Sequence, residues 1–561
     1  MLKQKHDYDA IVIGSGISGG WAAKELSEKG LKTLILERGR PLEHIKDYPT
    51  TNKAPWEFRY RSLDSMRTKE NYPIQSKNYA FNESTMHHYV NDLENPYSTP
   101  DKKPFLWYRG YHVGGKSLMW ARQVYRWSEL DFEANAMDGV GVDWPIRYQD
   151  IAPWYDYVEK FIGISGQKEG NKMIPDGQFQ MPMEYTCVEM HVKEALEKNW
   201  EDRLLTIGRV AHLMEPKHNR SKCQFRNLCY RGCPFGAYFS SNSSTLPAAF
   251  ASGNTTLRPH SIVESVTYDG QSGKAKGVKV LDAESGEMME FTARVIFVNA
   301  STLPTTGILL QSTSSRFPEG LGNDSGTLGH YLMDHHCEAA STAEFDFQDT
   351  HYFGNRPNGI YIPRFRNVEK QDTDYLRGFG IQGGSWQSDW TRGMDQQGFG
   401  SEFKNEMIKP GVWNMYLEGY GECLPYHDNQ VTLNNDLKDK WGMSTLRIEA
   451  DFKENELKMR EDMDFCTSEI LEIAGGKNIK TNSENNIPGN AIHEMGTARM
   501  GKDPKTSILN GFNQMHAVPN VFVTDGACMT SSACQNPSIT YMALTARACA
   551  YAIEELKKQN I

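Results

Sequence analysis

The chain has 561 residues, 39% of them hydrophobic and 24% charged, with a formal net charge of -10 and its Lys and Arg scattered along it. That length exceeds one ordinary core and calls for two or more structural units, and the composition excludes a disordered chain. Without a basic cluster there is no electrostatic footprint for nucleic acid or an anionic membrane, and no apolar stretch approaches the ~20 residues of a spanning helix.

The N-terminus passes from charged residues directly into a strand-like run, without the apolar core of a signal peptide, so the chain is not expected to export or anchor itself. Tyr8 to Ile13 reads as a buried parallel strand, and Gly14, Gly16 and Gly19 follow it as G-x-G-x-x-G. Such glycines permit a tight turn and let the backbone approach a pyrophosphate at a helix N-terminus. Helical spacing runs from Trp21 to Lys29, and a second strand from Thr33 to Leu36 ends at Glu37, eighteen residues after Gly19. That is close to the spacing at which a carboxylate accepts hydrogen bonds from the adenosine ribose. The fingerprint predicts a dinucleotide site, and Glu37-Arg38-Gly39 with the rest of the chain favours FAD over NAD.

Of the ten cysteines, seven are dispersed and read as buried small hydrophobes, whereas Cys223, Cys229 and Cys233 fall within eleven residues, CQFRNLCYRGC. Zinc with His212 or His218 as fourth ligand, a disulfide with one thiol left over, and an iron-sulfur cluster all compete for that run. Further on, Asp334, His335 and His336 form a polar cluster. Between Ala339 and Arg447, alternating aromatic-rich runs such as NGIYIPRF and GFGIQGGSW predict a mainly antiparallel sheet, in which Trp386 and Trp390 are candidates for stacking on a sugar ring. His493 opens an H-x-x-G-T segment, and Asn536-Pro537 precede a helix predicted over Ser538 to Glu554. Histidine, with an ordinary pKa of ~6.5, is suited to take a proton, whereas asparagine orients and donates but is no base.

Five segments taken in order, the fingerprint, RGYHVGGKSLMWARQ (109–123), VIFVNASTLPTTGILLQS (295–312), HEMGTARMG (493–501) and VTDGACMTSSACQNPSITYMALTARA (523–548), resemble the glucose-methanol-choline (GMC) oxidoreductases. The likeness runs end to end. It implies an α/β fold, with a Rossmann-like FAD domain assembled from 1–45, 105–130, 200–330 and 490–561 and a substrate domain from 46–104, 131–199 and 331–489. It also implies His493 as catalytic base and Asn536 as its partner. Gly114, Gly115 and Ser117 would lie against the flavin or its pyrophosphate, the Val263 backbone would meet adenine, and Asp525 and Pro537 would belong to the flavin segments. Met119 stands where the pyranose oxidases, with a similar S-x-x-W segment, carry a histidine bonded to the flavin, so a non-covalent FAD is expected.

Within the family, a bacterial branch of FAD sugar dehydrogenases (glucose, glucoside C3, gluconate and fructose dehydrogenases) carries a similar cysteine run holding a 3Fe-4S cluster. Where that run has an extra cysteine, Gln224 stands here. The resemblance therefore implies oxidation of a sugar or glycoside hydroxyl, glucoside C3 or glucose C1 foremost. Electrons would leave through a cluster on Cys223, Cys229 and Cys233 to a cytochrome or quinone. A small signal-bearing partner subunit would co-export the chain to the periplasm, with cytoplasmic residence as the alternative. An oxygen-using alcohol or pyranose oxidase and a non-catalytic flavin electron-transfer subunit are the competing functions.

Overall fold

The computed structural model describes residues 6–61, 64–347, 356–394, 396–482 and 487–561. Two sheets organise them, with cores on separate clusters of buried side chains. The first sheet has seven strands. Its parallel part runs Thr255–Arg258, Thr33–Leu36, Tyr8–Ile13, Met288–Val298, Val521–Val523. Tyr8–Ile13 has a parallel neighbour on each side, which is why its buried part, Ala10 to Ile13, is a continuous apolar run rather than an alternating one. Met288–Val298 is shared between two pairings. Ala293 to Val298 join the parallel ladder, while Met288 to Thr292 pair antiparallel with Lys274–Asp282, which continues to Ser261–Asp269.

Helix Ile17–Glu28 begins immediately after Gly16, four residues before the spacing-based start at Trp21. It packs against the C-terminal helix Ser538–Lys557, burying Ala22 and Leu26 with Ala548, Ala552 and Leu556. The C-terminal helix runs one turn past the expected Glu554 because Leu556 still finds the core and Lys557 suits the negative helix end.

The second sheet has six strands in the order Lys477–Asn482, His336–Phe345, Trp413–Gly421, Phe379–Gln387, Ile360–Ile362, Thr206–Ile207, every adjacent pair antiparallel. Thr206–Ile207, which the sequence reading grouped with the flavin-binding segments, pairs here instead, because two residues are too few to display any period. Alternation puts Ala339, Ala343, Met415 and Leu417 against helix Glu454–Ile473, through Met459, Met463, Cys466 and Ile470. The opposite face carries Ala340, Thr342, Tyr416, Glu418, Tyr420 and Gln382 into a cavity. The register sets Gln382 opposite Glu418 and Glu418 opposite Ala340, so a polar row crosses that face.

Candidate active site

A cavity of about 1390 Å³ lies between the first sheet and the polar face of the second. At its nucleotide end the glycines have different physical reasons. A Cβ on Gly14 (φ +97) would sit 2.4 Å from the Asn299 carbonyl oxygen, and one on Gly19 would sit 2.0 Å from the Gly14 carbonyl oxygen, so the fold itself requires both. A Cβ on Gly16 meets nothing nearer than Gly114 O at 3.9 Å, and one on Gly115 nothing nearer than Gly16 Cα at 3.7 Å. The chain leaves that space open between two glycines at an uncapped helix N-terminus, the arrangement that accommodates a pyrophosphate.

Glu37 is buried in the cavity wall, and burial raises its pKa. One of its oxygens accepts from the Ser15 amide (3.1 Å) and hydroxyl (2.5 Å), and the other accepts from the Gly39 amide (2.8 Å). Ser15 Oγ in turn accepts from the Gly114 amide (2.9 Å), and Ser117 Oγ donates to the Gly114 carbonyl (2.6 Å), which ties segment 109–123 to the fingerprint turn. The Arg38 guanidinium lies 4.5 Å from the Tyr111 ring centre and pairs with Asp439 at 3.2 Å, while Val263 contributes to the same wall. Asp525 accepts from Thr305 Oγ1 (2.5 Å) and the Ala527 amide (3.0 Å), and burial pushes its pKa up to about 6. This end fits FAD: an open glycine cradle, a carboxylate at the second strand's end, and Asp525 at the end of the fifth parallel strand. Glu37, Arg38, Gly115, Ser117, Val263 and Asp525 all line the cavity. Gly114 and Gly19 support the turn from behind it.

At the other end His493 and Asn536 face each other, with Asn536 Nδ2 3.4 Å from His493 Nε2. Pro537 occupies the cap position of the C-terminal helix, with no side-chain cap, so the Asn536 side chain is free to point into the cavity rather than bind the helix end. Burial lowers the His493 pKa well below 6.5, with His335 and Lys116 adding to the effect. Two of the three residues in the 334–336 cluster reach this site. Asp334 accepts from the amides of Gly489 (2.8 Å), Ala491 (3.2 Å) and His493 (2.9 Å), and burial, then Glu494, pushes its pKa up to about 7. His335 Nδ1 lies 2.9 Å from His493 Nδ1. His336 points elsewhere, with its ring 5.6 Å from that of Phe452.

The backbone around His493 is strained. Ile492, a β-branched residue, has φ 64°, and Thr497 has φ 80°. Each costs on the order of 1–3 kcal/mol and persists only because surrounding bonds dictate it. The three amides held by Asp334 supply that restraint. Asp334→Asn exchanges an acceptor oxygen for a donor and leaves at least one of those amides facing an N–H. It is expected to cost about 1–3 kcal/mol, read as a lowered Tm at unchanged pH.

Sequence reasoning missed three residues here. Lys116 pairs with Glu494 at 2.7 Å in the cavity wall, and Gln382 donates to Asn536 Oδ1 at 2.9 Å. A lysine between Gly115 and Ser117 in a glycine-rich turn, and a glutamine in the otherwise apolar start of GFGIQGGSW, are the signals that pointed to Lys116 and Gln382. Trp386 lines the cavity, whereas Trp390 is exposed and outside it.

The cysteine run does not converge in the way three ligands of one ion would. Among the described residues no three His, Cys, Asp or Glu side chains are grouped to hold a single metal ion. Cys223 packs among Met183, Val210 and Ala237 with Cys233 against the same cluster, while Cys229 Sγ lies 3.6 Å from His212 Nε2. Burial pushes the Cys223 thiol up to about 11 and raises that of Cys229. The loop nonetheless borders the cavity through Phe225, Asn227 and Tyr230, and the Arg122 guanidinium sits 4.4 Å from the Tyr230 ring centre.

Residues 8–337 and 425–545 match the two family profiles described as GMC oxidoreductase, the first alone covering more than half of the chain. The chain belongs to the GMC oxidoreductase family. It is 28% identical to a 2-methyl-1,2-propanediol dehydrogenase of Mycolicibacterium austroafricanum, over 97% of this chain and 94% of that one. It is 23% identical to the fructose dehydrogenase large subunit of Gluconobacter japonicus, over 98% of each. Pyridoxine 4-oxidase from Mesorbium loti shares the fold at a TM-score of 0.61 and 15% identity, covering 97% of this chain and 99% of that chain. As a GMC oxidoreductase the chain is an FAD-dependent enzyme acting on CH–OH donors.

Proposed function

We propose that this GMC oxidoreductase oxidises a ring hydroxyl of a sugar or glycoside to a carbonyl, with His493 as the base and Asn536 as the hydroxyl-orienting donor. The observation that carries the reading is the His493–Asn536 pair at 3.4 Å in the wall of a cavity that also holds the glycine cradle. A substrate hydroxyl placed beside the pair, within hydrogen-bond reach of both, donates its proton to His493 Nε2, and the Asn536 amide N–H steadies the charge developing on the oxygen. When bound, FAD supplies the acceptor for the two electrons leaving with the C–H hydrogen. The polar row Glu418–Gln382 with Tyr420, and Trp386 as an exposed apolar plate at the rim, match the alternating polar edges and apolar faces of a pyranose. Names among the relatives agree in class: fructose dehydrogenase, gluconate 2-dehydrogenase, paromamine 6'-oxidase. Within that class, glucoside C3 and glucose C1 are the positions favoured.

In the same reading Cys223, Cys229 and Cys233 would hold an iron-sulfur cluster of the 3Fe-4S type, which would pass electrons singly to a cytochrome or quinone. Support comes from three thiols in one loop bordering the cavity and from Arg122, whose charge favours the thiolate of Cys229 against the cost of burial. A small partner subunit and export with it to the periplasm belong to this proposal. No described helix is long and apolar enough to cross a membrane.

The test is a panel of D-glucose, methyl glucosides, D-gluconate, D-fructose and 2-methyl-1,2-propanediol, presented with an artificial electron acceptor. The new carbonyl is located by NMR, and iron, sulfide and hydrogen peroxide are measured on the same sample. Oxidation of a glucoside or glucose without peroxide, by protein holding about three irons per chain, is the expected result. Turnover of the diol alone would overturn the sugar reading, iron-free active protein the cluster, and stoichiometric peroxide the dehydrogenase.

A further inference from the structure

Hydrogen bonds around His493 fix where its ring proton lies. A carbonyl oxygen can only accept, so His335 Nε2, 3.0 Å from the Ser532 carbonyl oxygen, carries the proton of the neutral His335 ring. Its Nδ1 is then a bare lone pair. His493 Nδ1, 2.9 Å away, must therefore be the donor of that contact, which leaves His493 Nε2 without a proton and turned toward Asn536. His335 is wholly buried, and burial takes its pKa down to about 4, so the neutral ring assumed here is the one present at neutral pH.

The hydrogen bonds on the opposite side of the site are compatible with that assignment. The Tyr125 hydroxyl donates to Gln123 Oε1 (2.6 Å), and Gln123 Nε2 donates to Gln382 Oε1 (2.5 Å). Gln382 Nε2 then donates to Asn536 Oδ1 (2.9 Å). With its oxygen engaged, Asn536 presents its NH₂ to His493 Nε2, and a donor at that position requires a lone pair on the nitrogen it faces. The acceptor-only Ser532 carbonyl assigns the tautomer, and the run from Tyr125 to Asn536 accommodates it.

We propose that His335 is a positioning residue that holds His493 in its Nδ1-protonated tautomer, leaving Nε2 as the proton acceptor of the alcohol oxidation. This rests on the reading of His493 as base. In the reaction the substrate O–H bond breaks and an N–H bond forms at His493 Nε2, while the C–H hydrogen leaves with its electron pair to FAD. His493 is then an imidazolium whose Nδ1–H still donates to His335 Nδ1. The partner is a neutral imidazole rather than a carboxylate. It directs the ring without placing a fixed negative charge beside it, so the proton on Nε2 is held weakly and is readily returned to solvent.

Holoenzyme labelled with 15N-histidine tests the tautomer without any substrate. The His493 signals, assigned by their loss in His493→Gln, are expected to show a protonated Nδ1 and a bare Nε2, and the reverse pattern overturns the proposal. Kinetics add a second arm, with methyl β-D-glucoside as reductant of the flavin. His335→Leu, which has no acceptor, is expected to slow the limiting reduction rate about 100- to 10,000-fold with an unchanged half-saturating concentration. His335→Asn, whose amide oxygen can stand where Nδ1 does, is expected to recover to within about tenfold of the natural rate. Equal losses in both variants with a weakened half-saturation would make His335 merely structural and overturn it. If the glucoside fails to reduce the natural enzyme, the substrate reading is what fails, and the nitrogen spectrum still decides the tautomer.

Discussion

Replacing His493 by alanine is expected to slow substrate-dependent flavin reduction by about 1,000-fold or more while FAD content stays at the natural level. General-base catalysis by a positioned side chain contributes on the order of 100- to 10,000-fold, and no second base stands at Nε2 to substitute. Asn536, 3.4 Å away, has no proton-accepting capacity at neutral pH, and the His335 ring is turned to His493 rather than to the cavity. FAD binding is expected to survive because the His493 side chain bonds to His335 and Asn536 and to none of the cradle glycines or Glu37. Stopped-flow bleaching of the oxidised flavin band measures the rate, and near-natural reduction by the alanine variant would remove His493 from the mechanism. The pH dependence follows from the same group. Its pKa is depressed by burial, so the neutral, proton-accepting form is present above that lowered pKa and is lost only as pH falls through it. The reduction rate is therefore expected to hold level down to pH 6.5, with its acid limb below that value. A limb centred above 6.5 would contradict the burial seen here.

The second large effect separates what the fingerprint glycines do for the chain from what they do for the cofactor. Gly16→Val is expected to give a folded protein with its Tm reduced to that of the cofactor-free natural chain and FAD content lowered more than about tenfold. A Cβ at Gly16 meets no protein atom nearer than Gly114 O at 3.9 Å, and φ −70° lies in the range open to residues with side chains. What the side chain occupies is the space left for the pyrophosphate. Gly14→Ala should behave differently. Its Cβ falls 2.4 Å from the Asn299 carbonyl at φ +97°, so the backbone itself must move and the variant is expected to lose stability with or without added FAD. Visible absorbance of the bound flavin and thermal melts with and without FAD distinguish the two. Full flavin occupancy in Gly16→Val would mean that the open space serves something else.

Local pattern was sufficient where a single strand or turn carries its own periodicity. Tyr8–Ile13 and Thr33–Leu36 occur with the bounds their sequence implies, because the buried runs Ala10 to Ile13 and Leu34 to Leu36 are apolar and are cut off sharply by Gly14 and Glu37. The helix after the fingerprint began earlier than its spacing suggested, since Ile17, Ser18 and Gly19 carry no helical spacing of their own and the turn at Gly14 to Gly16 sets where the helix begins. The nucleotide end of the site was legible because its residues cluster in short motifs. The catalytic end was legible only in part. His493 and Asn536 stand in recognisable segments, but Gln382, Gln123 and Tyr125 connect through strands and loops hundreds of residues apart, and no local pattern reports such a chain. For the cysteine run, spacing brings three thiols onto one loop, while the positive φ of Phe225 and Asn227 and the apolar seat shared by Cys223 and Cys233 are details that a spacing does not record.

The docking of the C-terminal helix Ser538–Lys557 on helix Ile17–Glu28 has a consequence for the order of synthesis. The cradle helix emerges from the ribosome long before the surface that covers its Ala22 and Leu26, which is translated after the strand Val521–Val523 and Asn536. A nascent chain stopped short of residue 520 holds the fingerprint without its fifth parallel strand and with an uncovered apolar helix face. Flavin capture is therefore expected to wait until Val521–Val523 and the helix Ser538–Lys557 have emerged, and the interval before it is the stage at which an uncovered apolar face is exposed to aggregation.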